Sequence, residues 1–459
     1  MSDRRLDYIE LLRQEVSRNP HRLLDVEKEE EQEEAPPPRR TLQALCSIPR
    51  RLAISAGLGG TPVTPQLIES LRRILLGGNF RVFDYEWRRA FFHFREPNSE
   101  LAYALKADGG GARAIQMVVQ ARIIKHLLFA RQSDSDGQTL HSLTEIGRRE
   151  QDRALAAALS DSLWLAGQEA SATVTLVTED YCITSHLDYK LDTFTERLQL
   201  FTFSEKDAIT SFILDHIQCF QEEGSHGVIL FLYSLICSRT IERLRQDLDS
   251  PTSYLLHLSP GSSVCRQSLL NLLLTGRASP HLFNGTRHFG QDGLPLQRPL
   301  QGVLSRSDVG YLRWSREEME RGALPQVGSM LKTPRFPVWV CSINSSCSVL
   351  FSATRSLLSD WRAEHLFQLY YYSGQSSQTA TARLTVGERH TSAGLTGIRS
   401  CFIRHLFPVS CTDTHSHHWE ASSRDREGDP EKRFPSLEMT IRTKWDGAAI
   451  DWNGASPFY

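Results

Sequence analysis

The sequence predicts a mixed α/β (α+β) domain that follows a disordered N-terminal segment. Three observations lead to this fold class. The composition is that of a globular protein, with 40% hydrophobic and 23% charged residues. Apolar residues recur at three- and four-residue steps from Ile115 to Leu128, which predicts a helix. Two short runs rich in β-branched and aromatic residues flank Asn344-Ser345, which predicts a pair of strands.

Residues 1–45 are predicted to be a disordered, acidic and proline-rich segment. The stretch VEKEEEQEEAPPPRR holds six glutamates and three prolines among few apolar residues. Such a stretch cannot bury enough apolar surface to offset the entropy that is lost on ordering. Residues 46–459 are expected to be the globular part, whose length permits two or three domains as well as one large one.

Helices are expected at several places along the globular part. TPQLIESLRRILLGG has Thr64 and Pro65 where a helix would begin and a glycine pair where it would end. DAITSFILDHIQCFQEEGS and SLLNLLLTGRAS also have helical spacing. GVILFLYSLICS is predicted to be a buried helix or strand, because it is too short to span a bilayer.

Strands are expected in FPVWVCSINSSCSVLFSA, as two short strands around a turn. Residues 373–434 are rich in Ser, Thr, His and Asp and show little periodicity. This range is therefore predicted to be a long, loose insertion. Alternation returns after it, in LEMTIRTKWDGAAIDWNGASPFY.

Charge and cysteine usage exclude several classes of protein. The net charge is −2 and the isoelectric point is near 6.8, so no nucleic-acid partner is expected. The first residues, MSDRRLDYIELLRQE, are charged from the start and do not resemble a secretory signal, and no membrane association is expected. The nine cysteines include no C-x-x-C pair and are predicted to be reduced thiols of an intracellular protein, cytoplasmic or nuclear.

Three glycines, Gly109 to Gly111, lead into the predicted helix, and Arg113 falls in its first turn. The N–H groups of a first turn attract anions and lower the pKa of a thiol. Arg113 has the wrong charge for either use, and no Cys or Ser is present there. Taken alone, the stretch is interpreted as a glycine turn before a core helix, with Arg113, Arg122 and Lys125 off its buried face.

Six segments add a resemblance to this local interpretation. They are GGARAIQMVVQARIIKHLLF, LLLTGRASPHLFNG, SRSDVGYL, QVGSMLKTPRFPVWV, CSVLF and IRTKWDGAAIDWNGASPFY. Together they resemble the MINDY family of cysteine deubiquitinases, in the subgroup of its third and fourth members. The likeness covers residues 61–459 outside the insertion. It implies a papain-like, cysteine-protease-type fold, with catalysis by a Cys and a His and an oxyanion-stabilising Gln. It also implies that active members prefer ubiquitin chains linked through ubiquitin's forty-eighth lysine.

The family pattern carries over to this sequence position by position. Anchored on KHLLF, the catalytic cysteine falls at Arg113, with Ala112 and Ala114 in place of the flanking proline and glycine. The oxyanion glutamine, six residues upstream, falls at Ala107. The family's H-F-S-V-L-F strand is S-C-S-V-L-F here, which puts Ser346 at the position of the histidine. All three catalytic positions are therefore predicted to be degenerate.

This substitution pattern predicts a pseudoenzyme. Arginine stays protonated and is no nucleophile, serine cannot act as a base near pH 7, and alanine has no oxyanion donor. The prediction is an inactive ubiquitin carboxyl-terminal hydrolase that binds ubiquitin, polyubiquitin or another partner without catalysis. Two alternatives stay open. One is an active, thiol-dependent deubiquitinase that cleaves lysine-forty-eight-linked chains, and the other is a scaffold without ubiquitin affinity.

Other thiols and a histidine run offer different chemistry. Cys341 and Cys347 lie near Ser346, but Cys347 is expected to point to the opposite face of the strand, away from the site. Both are interpreted as buried and inert. The run HSHHW, close to Cys411, lacks a second spaced pair of ligands, so neither a metal nor any other cofactor is expected.

Overall fold

The fold is organised around a six-stranded sheet with helices against one face and a C-terminal helix against the other. The computed structural model describes residues 48–107, 109–129, 141–182, 189–250, 253–259, 262–290, 292–387 and 435–457, and these belong to one compact unit. The predicted N-terminal segment 1–45 and the run HSHHW lie outside the described residues. The mixed helix and strand composition confirms the predicted fold class.

The helices of the described residues differ widely in length. They are α1 (Pro65–Leu76), α2 (Tyr85–Arg89), α3 (Arg113–Phe129), α4 (His141–Thr144), α5 (Arg148–Ala166), α6 (Lys206–Asp215), α7 (Gln218–Gln221), α8 (Gly227–Arg239), α9 (Ile241–Asp247), α10 (Gln267–Thr275), α11 (Arg316–Glu320), α12 (Ser329–Lys332) and α13 (Ser436–Arg442). Short 3-10 turns lie at Arg50–Leu52, Ala56–Leu58, Thr195–Arg197, Arg355–Leu358 and Trp361–Glu364.

The strands form a large sheet, a small sheet and two separate hairpins. They are β1 (Thr61–Pro62), β2 (Ala172–Val177), β3 (Leu198–Phe203), β4 (Leu256–Ser259), β5 (Ser262–Cys265), β6 (Thr286–Phe289), β7 (Pro295–Gln301), β8 (Gly310–Trp314), β9 (Val338–Ile343), β10 (Ser346–Phe351), β11 (Leu366–Tyr372), β12 (Ala382–Gly387) and β13 (Ala449–Asp451). The large sheet has the order β13-β12-β11-β10-β9-β8, antiparallel except for the parallel pair β8–β9. The small sheet has the order β1-β3-β2.

Several helices begin and end where the sequence predicts. The side chain of Thr64 accepts the N–H of Leu67 at 3.3 Å, and Gly77 ends α1 in the left-handed conformation. The segment Gly227–Arg239 is a helix rather than a strand, buried along almost its whole length. The single helix predicted in DAITSFILDHIQCFQEEGS is two helices in the structure, since α6 ends at Asp215 and α7 begins at Gln218.

Helix α3 is present as predicted, but its burial differs from the prediction. Arg113 and Arg122 were expected to lie off the buried face, and both are buried. Arg122 reaches the carbonyl oxygen of Leu273 in α10 at 2.8 Å. The helix packs against α5, α10, β9 and β10, so it has no fully solvated face at these positions and its polar side chains must find partners inside the protein.

The predicted hairpin of β9 and β10 is confirmed. Ser346 pairs with Ile343, and Phe351 pairs with Val338. Asn344 and Ser345 have φ of 47° and 68°, as in the two-residue turn whose twist matches that of the strands.

The prediction of a loose insertion was wrong for its first part. Residues 382–387 form β12, which pairs with β11 on one side and β13 on the other. Its leucine and valine alternate with polar residues, a pattern that the Ser/Thr-rich surroundings obscure in the sequence. Residues 388–434 lie outside the described residues. Among the helices that the structure describes, none is long and apolar enough to cross a membrane.

Two apolar clusters lie on opposite faces of the large sheet. The first includes Cys347 and Val349 of β10 together with the apolar residues of α3. The second includes Leu350 of β10 and packs against Leu437 and Ile441 of α13. Alternate residues of β10 therefore face α3 and α13 in turn.

Candidate functional site

The glycine run before α3 permits a close approach of two backbones. Gly110 has φ of 78°, in the left-handed region that favours glycine. A Cβ atom on Gly111 would lie 1.5 Å from the carbonyl oxygen of Ser263. That oxygen also accepts a hydrogen bond from the indole N–H of Trp87 at 2.7 Å. The turn therefore packs directly on β5, and this contact fixes where α3 begins.

Arg113 is the first residue of α3, and only 8% of it is exposed. Its Nε donates to the carbonyl of Cys347 at 3.0 Å. Its Nη1 donates to the carbonyl of Ala107, and its Nη2 donates to the carbonyl of Ser373. An exposed cation in a first turn is unfavourable by about 0.3–1 kcal/mol. Here three carbonyl dipoles face the guanidinium and offset that penalty.

The guanidinium of Arg113 lies where β10 and β11 separate. The last paired residues of these strands are Val349 and Tyr372. Cys347 and Ser373 come just beyond that pair, and each gives its carbonyl to Arg113. The side chain therefore bridges the two diverging strands and joins them to the start of α3.

Ala107 packs beside this bridge. It is 2% exposed, and its N–H donates to the carbonyl of Gly374 at 2.9 Å. A Cβ atom on Gly374 would lie 3.4 Å from the Cβ of Ala107 and 3.0 Å from the Cε of Met117. Upstream, the side chain of Gln120 donates to the carbonyl of Tyr103 at 3.0 Å, which holds this segment against α3. The position expected for an oxyanion donor thus holds a methyl group in packed, apolar surroundings.

Ser346 is exposed at the first position of β10. By strand alternation its side chain belongs to the face of Leu350 and α13, while the next residue, Cys347, belongs to the face of α3. The structure thus brings Arg113 and Ala107 into hydrogen-bond contact, and it puts Ser346 one residue from the carbonyl that Arg113 also binds.

Cys347 does not point away from the site, as was expected from the sequence. It faces the same side of the sheet as α3, where it is 4% exposed. Burial raises the pKa of the Cys347 thiol to about 11, although Arg113 and Arg313 oppose the shift. Burial also raises the pKa of Cys341 on the opposite face. With a pKa near 11, a thiol is ionised in only about one molecule in 10⁴ at pH 7.

A polar cluster near Cys347 was missed by the sequence analysis. Gln267, the first residue of α10, accepts hydrogen bonds through Oε1 from the Tyr311 hydroxyl at 3.1 Å and from Nη1 of Arg313 at 3.2 Å. Arg313 also forms an ion pair with Glu318. These residues come from β8, α10 and α11, so no local pattern relates them in the sequence. Ser373 was missed too, because it lies at the start of the predicted insertion.

A groove of about 230 Å³ opens beside residues 91–94, a segment that pairs with the chain just before Ala107. It is lined by Phe91, Phe92, His93, Phe94, Arg148, Gln221, Glu222 and Glu223. Burial, followed by the nearby Lys106, lowers the pKa of His93. The lining contains no thiol, so this groove offers His93 no cysteine to activate.

Metal-ligating side chains are not gathered at the site. Across the described ranges, no group of three or more His, Cys, Asp or Glu side chains is arranged to hold a metal ion. The histidines near Cys411 lie outside those ranges.

Comparison with known proteins gives a consistent family. The family described as "Deubiquitinating enzyme MINDY-3/4, conserved domain" matches residues 72–454. The mouse protein named "Probable ubiquitin carboxyl-terminal hydrolase MINDY-4" is 35% identical over 399 residues, which are 86% of this chain and 47% of the relative. Its human counterpart is 34% identical over 86% of this chain and 46% of its own length.

More distant relatives belong to a neighbouring branch. Human "Ubiquitin carboxyl-terminal hydrolase MINDY-3" is 26% identical over 62% of this chain and 64% of the relative. The chain spans about half the length of the curated MINDY-4 relatives that it matches. No solved structure matches the chain significantly.

Proposed function

Because the chain belongs to the MINDY-3/4 family of deubiquitinating enzymes, whose fold is of the cysteine-protease type, we propose that it is a pseudo-deubiquitinase. In this proposal the protein does not hydrolyse ubiquitin conjugates. It acts by binding ubiquitin, polyubiquitin or a partner protein. The observation that supports the proposal is the guanidinium of Arg113, bonded to three main-chain carbonyls at the position to which the resemblance assigns the nucleophile.

The chemistry of the family explains why this substitution abolishes turnover. A cysteine hydrolase needs a thiolate to attack the carbonyl carbon, a base to hold the thiolate deprotonated, and donors for the oxyanion. Arg113 has no lone pair to offer at neutral pH. Ala107 has no side-chain donor, and Ser346 is no base near pH 7. With the attacking group missing, no covalent intermediate can form by this route.

The names of the relatives favour a second candidate, an active deubiquitinase. In that case another thiol must attack, and Cys347, on the α3 face of the sheet beside Arg113, is the cysteine whose backbone Arg113 binds. Its burial and raised pKa argue against this role, because the thiolate is the reactive form. A scaffold without ubiquitin affinity is the third candidate, and a binding measurement separates it from the first.

The activity test compares the two catalytic outcomes directly. The purified protein is incubated with ubiquitin chains of each linkage at high concentration and for long times. No mono-ubiquitin should be released, and a ubiquitin probe with a C-terminal electrophile should form no covalent adduct. Cleavage or adduct formation that is lost in Cys347→Ser would establish the active candidate and identify its nucleophile.

Restoring the family residues tests the assignment of the three positions. The triple variant Arg113→Cys, Ala107→Gln, Ser346→His should remain inactive on a ubiquitin–fluorophore substrate. Ala107 is only 2% exposed within the apolar core, so a glutamine there must displace packed neighbours, and a side chain at position 346 belongs to the face turned away from α3. A displacement near 1 Å at a reacting group costs about 10²-fold in rate. Efficient hydrolysis would show that the groups can reach one another after all.

The binding test addresses the non-catalytic role. Calorimetric titrations with mono-ubiquitin and with tetra-ubiquitin should each give a heat signal that saturates, from which a dissociation constant follows, if the protein recognises ubiquitin. No heat with either ligand at near-millimolar concentration would favour the scaffold.

A further inference from the structure

The space through which a peptide would reach position 113 is filled by the protein itself. An attacking group at this position needs a carbonyl carbon within about 3–3.5 Å. Position 113 borders the gap between the start of α3 and the diverging ends of β10 and β11, and Arg113 is only 8% exposed. The guanidinium of Arg113 lies in that gap, in direct contact with Cys347 and Ser373.

A second contact joins the segment before α3 to the end of β11. The N–H of Ala107 donates to the carbonyl of Gly374 at 2.9 Å, so the two walls bond directly to each other. Arg113, Ala107, Cys347 and Ser373 are all buried. An extended peptide here would have to displace both this backbone bond and the bonds of the guanidinium.

We propose that this protein binds ubiquitin without taking up ubiquitin's C-terminal tail at position 113. The proposal rests on the proposed function, since it presumes that ubiquitin is bound. It follows that two kinds of ubiquitin unit should bind with equal affinity: a unit inside a chain, whose C-terminus is already conjugated, and a unit with a free C-terminus. Recognition of this kind suits a protein that holds or shields chains.

The test uses the native protein and two ligands. Binding of full-length mono-ubiquitin is compared by calorimetry with binding of ubiquitin that lacks its C-terminal tail. The two dissociation constants should agree within about twofold. A loss of about tenfold or more on removing the tail would overturn the inference while leaving ubiquitin binding intact. If neither ligand binds, the mono-ubiquitin binding that this inference presumes is absent and the inference fails, whereas the proposed lack of hydrolysis is decided by the activity test.

A pair of variants tests the role of the guanidinium. Arg113→Ala removes the guanidinium from the gap and leaves the single backbone bond of Ala107, whereas Arg122→Ala removes a second buried arginine of α3 that bonds to Leu273 instead. In Arg113→Ala, full-length ubiquitin should gain affinity over the truncated form, and in Arg122→Ala the ratio should stay near one. Equal affinities in a folded Arg113→Ala protein would refute the claim that this side chain excludes the tail. If Arg113→Ala does not fold, the comparison of the two ligands on the native protein decides.

Discussion

Replacing Arg113 by alanine should destabilise the fold, because this buried side chain joins three segments of the backbone. The variant leaves the carbonyls of Ala107, Cys347 and Ser373 without the donor that they share. A buried polar group without a partner costs about 1–3 kcal/mol, so three such groups set an upper range of about 3–9 kcal/mol.

Two effects reduce that range for Arg113→Ala. Removing a cation from the first turn of α3 recovers about 0.3–1 kcal/mol. Water entering the vacated space can bond to some of the carbonyls. The expected net loss is therefore about 2–4 kcal/mol in the free energy of unfolding.

Urea unfolding followed by tryptophan fluorescence measures this loss as a lowered midpoint with an unchanged slope. Arg113→Lys should fall between wild type and Arg113→Ala, because an ammonium keeps the charge but lacks the planar fork. Arg321→Ala is the control, since its side chain is 63% exposed and pairs with Glu317 one turn earlier, so its loss should stay below about 0.5 kcal/mol. If Arg113→Ala is as stable as this control, the three bonds do not hold the site together and the reasoning fails.

Three further predictions concern the surroundings of the site and the core. Gly111→Ala should lower the free energy of unfolding by at least about 3 kcal/mol in the same urea assay, because its Cβ would overlap the Ser263 carbonyl. The control Gly109→Ala faces open space and should change the free energy of unfolding by less than about 0.5 kcal/mol. Equal effects of the two variants would contradict the packing of the turn. Cys347 should resist alkylation by iodoacetamide at pH 7 in the native protein and should react after denaturation, because burial raises the pKa of its thiol. Mass spectrometry of the peptide that contains Cys347 measures the labelling. Rapid labelling of the native protein would contradict the raised pKa. Burial alone would raise the pKa of Asp161, but the positive charges of Lys125, Arg122 and Lys206 lower this pKa below its ordinary value. The ionised Asp161 therefore stabilises the fold above the ordinary aspartate pKa, and this stabilisation is lost as the pH falls through the lowered pKa. Asp161→Asn should therefore be less stable than wild type at pH 7, with a difference that narrows below about pH 4, and a difference that does not depend on pH would contradict this.

Local signals in the sequence were sufficient for several elements. The limits of α1 follow from Thr64 and the glycine after Leu76, because capping depends on residues next to the helix. The hairpin of β9 and β10 follows from its alternation and from a turn that needs two residues at positive φ. In each case the residues that decide the structure are neighbours in the chain.

Distant partners explain where the sequence-based expectations were wrong. The burial of Arg122 depends on Leu273 in another helix. Strand β12 is stabilised by pairing with β13, which follows about sixty residues later, and a Ser/Thr-rich strand gives little local signal of its own.

The catalytic assignment of position 113 stays a prediction from the resemblance, and the sequence did not predict which groups Arg113 binds. Its acceptors come from the segment before α3, from β10 and from the end of β11. Sequence patterns report side chains, and all three acceptors are main-chain carbonyls. The predicted direction of the Cys347 side chain was also wrong. The prediction assumed that Ser346 faces the site, and strand alternation then required Cys347 to face away from it.

The use of main-chain acceptors also bears on how this protein can change over time. A carbonyl oxygen is present whatever side chain the residue carries, so substitutions at Ala107, Cys347 or Ser373 that keep the backbone path leave the bonds to Arg113 in place. Position 113 has no such tolerance, since a single change there removes all three bonds. Substitutions at the three acceptor positions are therefore expected to be tolerated more readily than any substitution of Arg113. The folding of the protein is by itself enough to retain an arginine at position 113, whatever reaction or binding the site serves.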